Sequence, residues 1–91
     1  MPLHARLGSN GNSERDFIEA YMALANARTA IDEAARRLLC DVANGRNYQH
    51  LDDPDDALIE DRRRIKGCAR RAAGMLGALQ SEIAGIVEGG S

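Results

Sequence analysis

Tryptophan is absent, and Phe17, Tyr21 and Tyr48 are the only aromatic residues among 91. A β-sandwich core, a base-stacking platform or a lectin-like sugar site needs more rings than that. Cysteine is equally scarce. Cys40 and Cys68 are too few to staple a mini-protein, and each falls in an apolar helical pattern that suits a buried, reduced thiol. No apolar run approaches the 18 or so residues of a membrane span, and Met-Pro-Leu-His-Ala-Arg at the start lacks a stretch of signal-peptide length. A soluble, cytoplasmic protein with no membrane partner is the expectation. Charge of one sign is not in excess either: fourteen acids face twelve bases, for a net charge of −2. General nucleic-acid binding is therefore not expected. Lys66 is the sole lysine beside eleven arginines, a bias that fits a GC-rich bacterial genome.

What is present is helix. Hydrophobic residues make up 44% and charged residues 29% of the chain, a globular composition sized for one small domain. Gly8, Ser9, Asn10, Gly11 and Asn12 mark residues 1–12 as a flexible N-terminal tail. Ser13 and Asp16 then form a capping-box variant. Phe17, Tyr21, Leu24, Arg28, Ile31, Ala35, Leu38 and Val42 follow at alternating spacings of four and three, which predicts a first helix over 13–44. Asn44-Gly45, tolerant of the left-handed conformation, closes it. Asp53-Pro54-Asp55-Asp56 opens a second helix over 54–88. Its seam runs through Leu58, Arg62, Ile65, Ala69, Ala72, Leu76, Leu79, Ile83 and Ile86. The fold class is all-α: an antiparallel two-helix hairpin over 13–90.

Two helices cannot enclose a core alone, so association with a second copy or another helical protein into a four-helix bundle is expected. Ala69, Ala73, Gly77, Ser81 and Gly85 form a ridge of small side chains at four-residue spacing on the second helix. Leu24, Ile31 and Leu38 mark the matching seam of the first. These eight residues are the candidate interface. A ridge packed against another helix backbone predicts that Gly77→Ala clashes, whereas drift in composition predicts that it stabilises an exposed helix; the regular four-residue spacing makes the clash the expectation.

Arg28 and Arg62 interrupt the two seams. Each needs a carboxylate, an anion or a route to water. Asp32 is the local candidate for Arg28, and Asp61 or Asp55 for Arg62. Arg62, Arg63, Arg64, Lys66, Arg70 and Arg71 put six bases in ten residues, a block suited to phosphate or, more simply, a solvated face. His4 and His50 lie far apart, and neither Glu-x-x-His nor Cys-x-x-Cys occurs, so no metal site is expected. No arrangement for nucleophilic catalysis is present, and no catalytic residue is assigned. Arg28, Arg62 and Gln80 could line a bundle cavity as in chorismate mutases, although the long first helix departs from that family's pattern.

The stretch Ala25-Asn-Ala-Arg-Thr-Ala-Ile-Asp-Glu-Ala-Ala-Arg-Arg-Leu-Leu39 resembles the C-terminal helical domain of acyl-CoA dehydrogenase-like flavoproteins, in the branch of flavin-dependent monooxygenases. Ile31, Asp32, Arg36, Leu38, Leu39 and Gly45 follow that order, and Arg62–Arg64, Ala69, Ala72 and Gly89-Gly90-Ser91 continue it. The resemblance covers residues 20–91. It implies a hairpin that assembles into a four-helix domain. It also implies that Arg62 or Arg64 contacts a phosphate of FAD or coenzyme A shared with a partner. The chain has no β-domain to hold the isoalloxazine, so the resemblance is to an isolated or truncated hairpin. By itself such a hairpin needs no cofactor.

Overall fold

The computed structural model describes residues 3–8 and 12–89. Tail positions 1, 2 and 9–11, and the terminal Gly90 and Ser91, lie outside the described residues. Two long helices dominate: α1 (Asn12–Arg37) and α2 (Pro54–Gly89). Between them come a π-helical turn, Leu38–Val42, and a 3-10 turn, Gly45–Asn47. No strand occurs among the described residues, and the two helices pack antiparallel, so the protein is an all-α hairpin. At 36 residues α2 is about 54 Å long. The radius of gyration is 19.2 Å, where a compact chain of this length has about 12 Å.

The first helix departs from expectation at its end. The heptad pattern carries α-helix to residue 44 with Leu38 and Val42 in the seam, but regular α-helix stops at Arg37. The Ala43 N–H donates to the Leu38 carbonyl at 2.8 Å, five residues back rather than four. That wider turn takes up one extra residue and slips the register by one position. Leu39 becomes half-buried and Ala43 buried, while Leu38 and Val42 are 41% and 48% exposed.

Asn44 does not close the helix through a left-handed backbone: its φ of −128° and ψ of 162° are extended. It acts through its side chain instead. Nδ2 donates to the Asp41 carbonyl (2.8 Å), and Oδ1 accepts the Arg46 N–H (3.0 Å). Asn47 Nδ2 donates to the Val42 carbonyl at 2.7 Å. These short amides satisfy carbonyls that a helix C-terminus leaves without partners.

Helix α2 begins at the expected proline. The Asp53 carbonyl accepts the Ala57 N–H at 3.3 Å, and Pro54 has no N–H to leave unpaired. The seam is thin. Among the described residues, Ala43, Tyr48 and Ile83 are the buried apolar residues and Gln80 the buried polar one, while Phe17, Leu24, Ile31, Ile65 and Leu76 are half-buried. Residues 3–8, read from sequence as part of a tail, run beside the end of α2. The Leu3 N–H donates to Glu82 Oε1 (2.9 Å), and the Gly8 N–H donates to Ser13 Oγ (2.8 Å).

Candidate association surface

The seam arginines are both engaged within the hairpin, though not with the acids nearest in sequence. Arg28 Nη1 donates to Gln80 Oε1 at 2.8 Å. Gln80, only 5% exposed, in turn donates Nε2 to the Tyr21 carbonyl at 3.4 Å. Asp32, one turn further along α1, is exposed and leaves Arg28 to the facing helix. Arg62 Nη1 donates to the carbonyls of Leu39 (2.8 Å) and Ala43 (3.2 Å). A guanidinium at the negative end of a helix is favoured by the dipole as well as by the hydrogen bonds. Successive helical residues point about 100° apart, so Asp61 faces elsewhere. It accepts the Tyr48 hydroxyl proton at 2.6 Å.

That hydrogen bond to Asp61, with burial and the carboxylate's charge adding to it, holds the Tyr48 pKa above its ordinary value, against a smaller opposing pull from Arg62. At the start of α2, the Asp53 carboxyl shares a hydrogen bond with Asp56 and repels its charge, which raises the Asp56 pKa.

The structure does not bring Arg62 and Arg64 together. Two positions apart on a helix they diverge by about 200°. Arg62 faces the end of the first helix, while Arg64 is exposed and borders a groove. The small-residue ridge is split as well. Ala69, Ala73 and Gly77 are half-buried, whereas Ser81 and Gly85 are exposed. A Cβ added at Gly77 would lie 3.4 Å from Arg28 Nη1 and meets no backbone among its nearest neighbours, and one at Gly85 would meet nothing within 4 Å. Within the hairpin, Gly77 makes room for a guanidinium. The Arg28–Gln80 pairing was hidden in the sequence because it needs the helix register; Gln80 opposite a seam arginine was its only signal.

The groove beside Arg64 holds about 400 Å³ and is lined by Ile31, Ala35, Leu38, Ile65, Cys68 and Ala69, among others. Leu24 lies half-buried further along the seam from Ile31. A smaller hollow of about 160 Å³ opens near the chain ends between Ile18, Tyr21, Ile83 and Val87. Ile18, Met22, Ile59, Met75 and Leu79 add exposed apolar surface. Cys40 and Cys68 are free thiols but exposed rather than buried, because each lies on a helix face turned away from the thin seam.

Charge falls into three blocks along the long axis. Residues 38–61 at the loop end carry seven acids and Arg46 as their one base. The middle, residues 23–37 and 62–81, carries nine bases against Asp32 and Glu33. The open end, residues 12–22 and 82–89, carries five acids and Arg15.

Among the described residues no helix is long and apolar enough to cross a membrane, and no cluster of His, Cys, Asp and Glu is placed to hold a metal ion. Fold and surface together define the class: an all-α helical hairpin whose seam stays open to solvent. Comparison with family models, curated proteins and solved structures finds no match to this chain. The resemblance to flavoprotein helical domains therefore rests on its motif residues alone.

Proposed function

We propose that the protein is a non-catalytic assembly module whose hairpins self-associate into a four-helix bundle. One observation carries this reading. The chain exposes 6973 Å², whereas a compact monomer of 9.9 kDa exposes about 5,200 Å². The surplus of roughly 1,800 Å² belongs to the elongated shape and leaves room for the ~800 Å² each partner buries in a standard interface. The thin core supports the same reading, since hydrophobic burial is the main favourable term in folding. Each copy that docks supplies what the seam lacks.

Sedimentation equilibrium at micromolar concentration tests the proposal. Dimers or larger assemblies are expected, with thermal stability rising with protein concentration. A stable, well-folded monomer with a concentration-independent Tm would overturn it.

A further inference from the structure

The surface around the π turn combines a reversal of charge with uncovered apolar side chains. Helix α2 carries Glu60, Arg64, Cys68 and Arg71 at spacings of four, four and three, so they share one face. Arg64 and Cys68 line the apolar groove on that face, and Arg71 Nη2 donates to Cys68 Sγ at 3.3 Å. Across the groove, Ile31, Ala34 and Ala35 of α1 and Leu38 of the π turn form the opposite wall. The extra residue in the π turn has released Leu38 and Val42 from the hairpin's own seam, leaving both exposed. The same face thus changes sign from acidic to basic at residues 60–64, beside the exposed Leu38 of the groove, with the exposed Val42 four residues further along the π turn.

We propose that this face is the docking site for the same face of a second copy, related by a two-fold axis passing beside the π turn. The inference rests on the self-association reading. Centring the axis between Glu60 and Arg64 sets Glu60 of each copy against Arg64 of the other. It also lays the acidic loop end of each copy over the basic middle of its partner. Leu38 and Val42 of the two copies pack together across the axis. An isologous contact of this kind closes on itself, because every contact is made twice. A fully overlapping pair centred on the basic middle would instead stack like charge on like charge. The four-helix bundle then covers the loop-proximal halves of the hairpins, and the hollow beside Ile18 lies outside it.

A charge swap tests the arrangement in the full chain. Glu60→Lys alone places an ammonium against Arg64 at both contacts, and Arg64→Glu alone places two acids together. Each variant is expected to raise the dimer Kd at least tenfold. An equimolar mixture of the two should restore dimers to near wild-type affinity, because both contacts are then opposite in sign. Val42→Asp is expected to weaken dimers at least tenfold, and Ile18→Asp to leave them unchanged. Far-UV circular dichroism confirms that each variant keeps its helices. Should one fail to fold, the remaining variants still decide the question. A wild-type monomer would remove the self-association reading and this pairing with it. A wild-type dimer that ignores the charge swap and Val42→Asp, or that yields to Ile18→Asp, would overturn the pairing alone.

Discussion

Arg28 reaches across the hairpin to Gln80, and the pair ties the two helices together at one register. Gln80 completes the layer by donating to the Tyr21 carbonyl. Gln80 is the buried member of this layer while Arg28 is exposed, and slipping the helices would leave the buried amide without its partners. Gln80→Leu should destabilise the protein by about 0.5–1.5 kcal/mol, the net worth of a part-buried hydrogen bond whose exposed guanidinium can turn to water. The double variant Arg28→Met/Gln80→Leu should recover much of that loss, at the expense of a defined register. Urea unfolding of the three variants measures both effects. Equal losses in the single and double variants would show that the pair is not coupled.

The sign expected for Gly77→Ala follows from the same contact. The sequence alone favours a clash with a helix backbone, whereas Arg28's guanidinium is the neighbour seen in the hairpin. A methyl group at that distance is in ordinary contact with the end of a flexible side chain. Gly77→Ala should therefore raise stability by about 0.5–1 kcal/mol, as helix propensity dictates. Gly77→Leu is different. Its longer side chain displaces Arg28 from Gln80, and a loss of about 0.5–1.5 kcal/mol is expected. Gly74, with nothing within 4 Å of an added Cβ, is the control: Gly74→Ala should stabilise by about 1 kcal/mol.

Much of the fold was legible because helical periodicity is a local property. Phe17, Leu24 and Ile31 are half-buried as the heptad spacing implies, and Pro54 starts α2 where the acids and proline place it. The register failed after Arg37, because nothing between Leu38 and Val42 marks a π turn. Its carbonyls find partners in Asn44, Asn47 and Arg62, and Arg62 lies 23 residues beyond Leu39. The seam arginines were legible as positions needing partners, but not their partners. Asp32 and Asp61 are near in sequence, whereas Gln80 and the Leu39 carbonyl are near in space. The groove depends on the register shift, so the sequence pointed to Leu38 as an interface residue without its surroundings.

Alkaline pH should loosen the loop through Tyr48. Its pKa is raised in the fold, chiefly by the hydrogen bond to Asp61. A raised folded value means that the stabilisation is fully present below the unfolded tyrosine pKa of 10.0 and is lost as pH rises through the folded value. Stability should thus decline above pH 10 in the wild type. Tyr48→Phe should be less stable at neutral pH and show a shallower decline. Chemical unfolding across pH 8 to 11 measures this, and parallel curves for the two proteins would refute it.

Arg62 carries the last expectation, because one side chain joins the π turn to α2. Its Nη1 donates to Leu39 and Ala43, two carbonyls with no helical N–H ahead of them. Arg62→Met keeps the aliphatic stem but leaves both acceptors without that donor. A loss of about 2 kcal/mol follows from unsatisfied, partly buried carbonyls next to a helix dipole. Arg62→Lys keeps the charge yet lacks the planar fork, so it should recover only part. Hydrogen exchange adds a local readout. In Arg62→Met the Ala43 amide, bonded to Leu38 at 2.8 Å, should lose protection before the amides of mid-α1. If Arg62 instead serves mainly to bind an anion, Arg62→Met should leave both stability and Ala43 exchange unchanged. Added phosphate would then stabilise the wild type and not the variant.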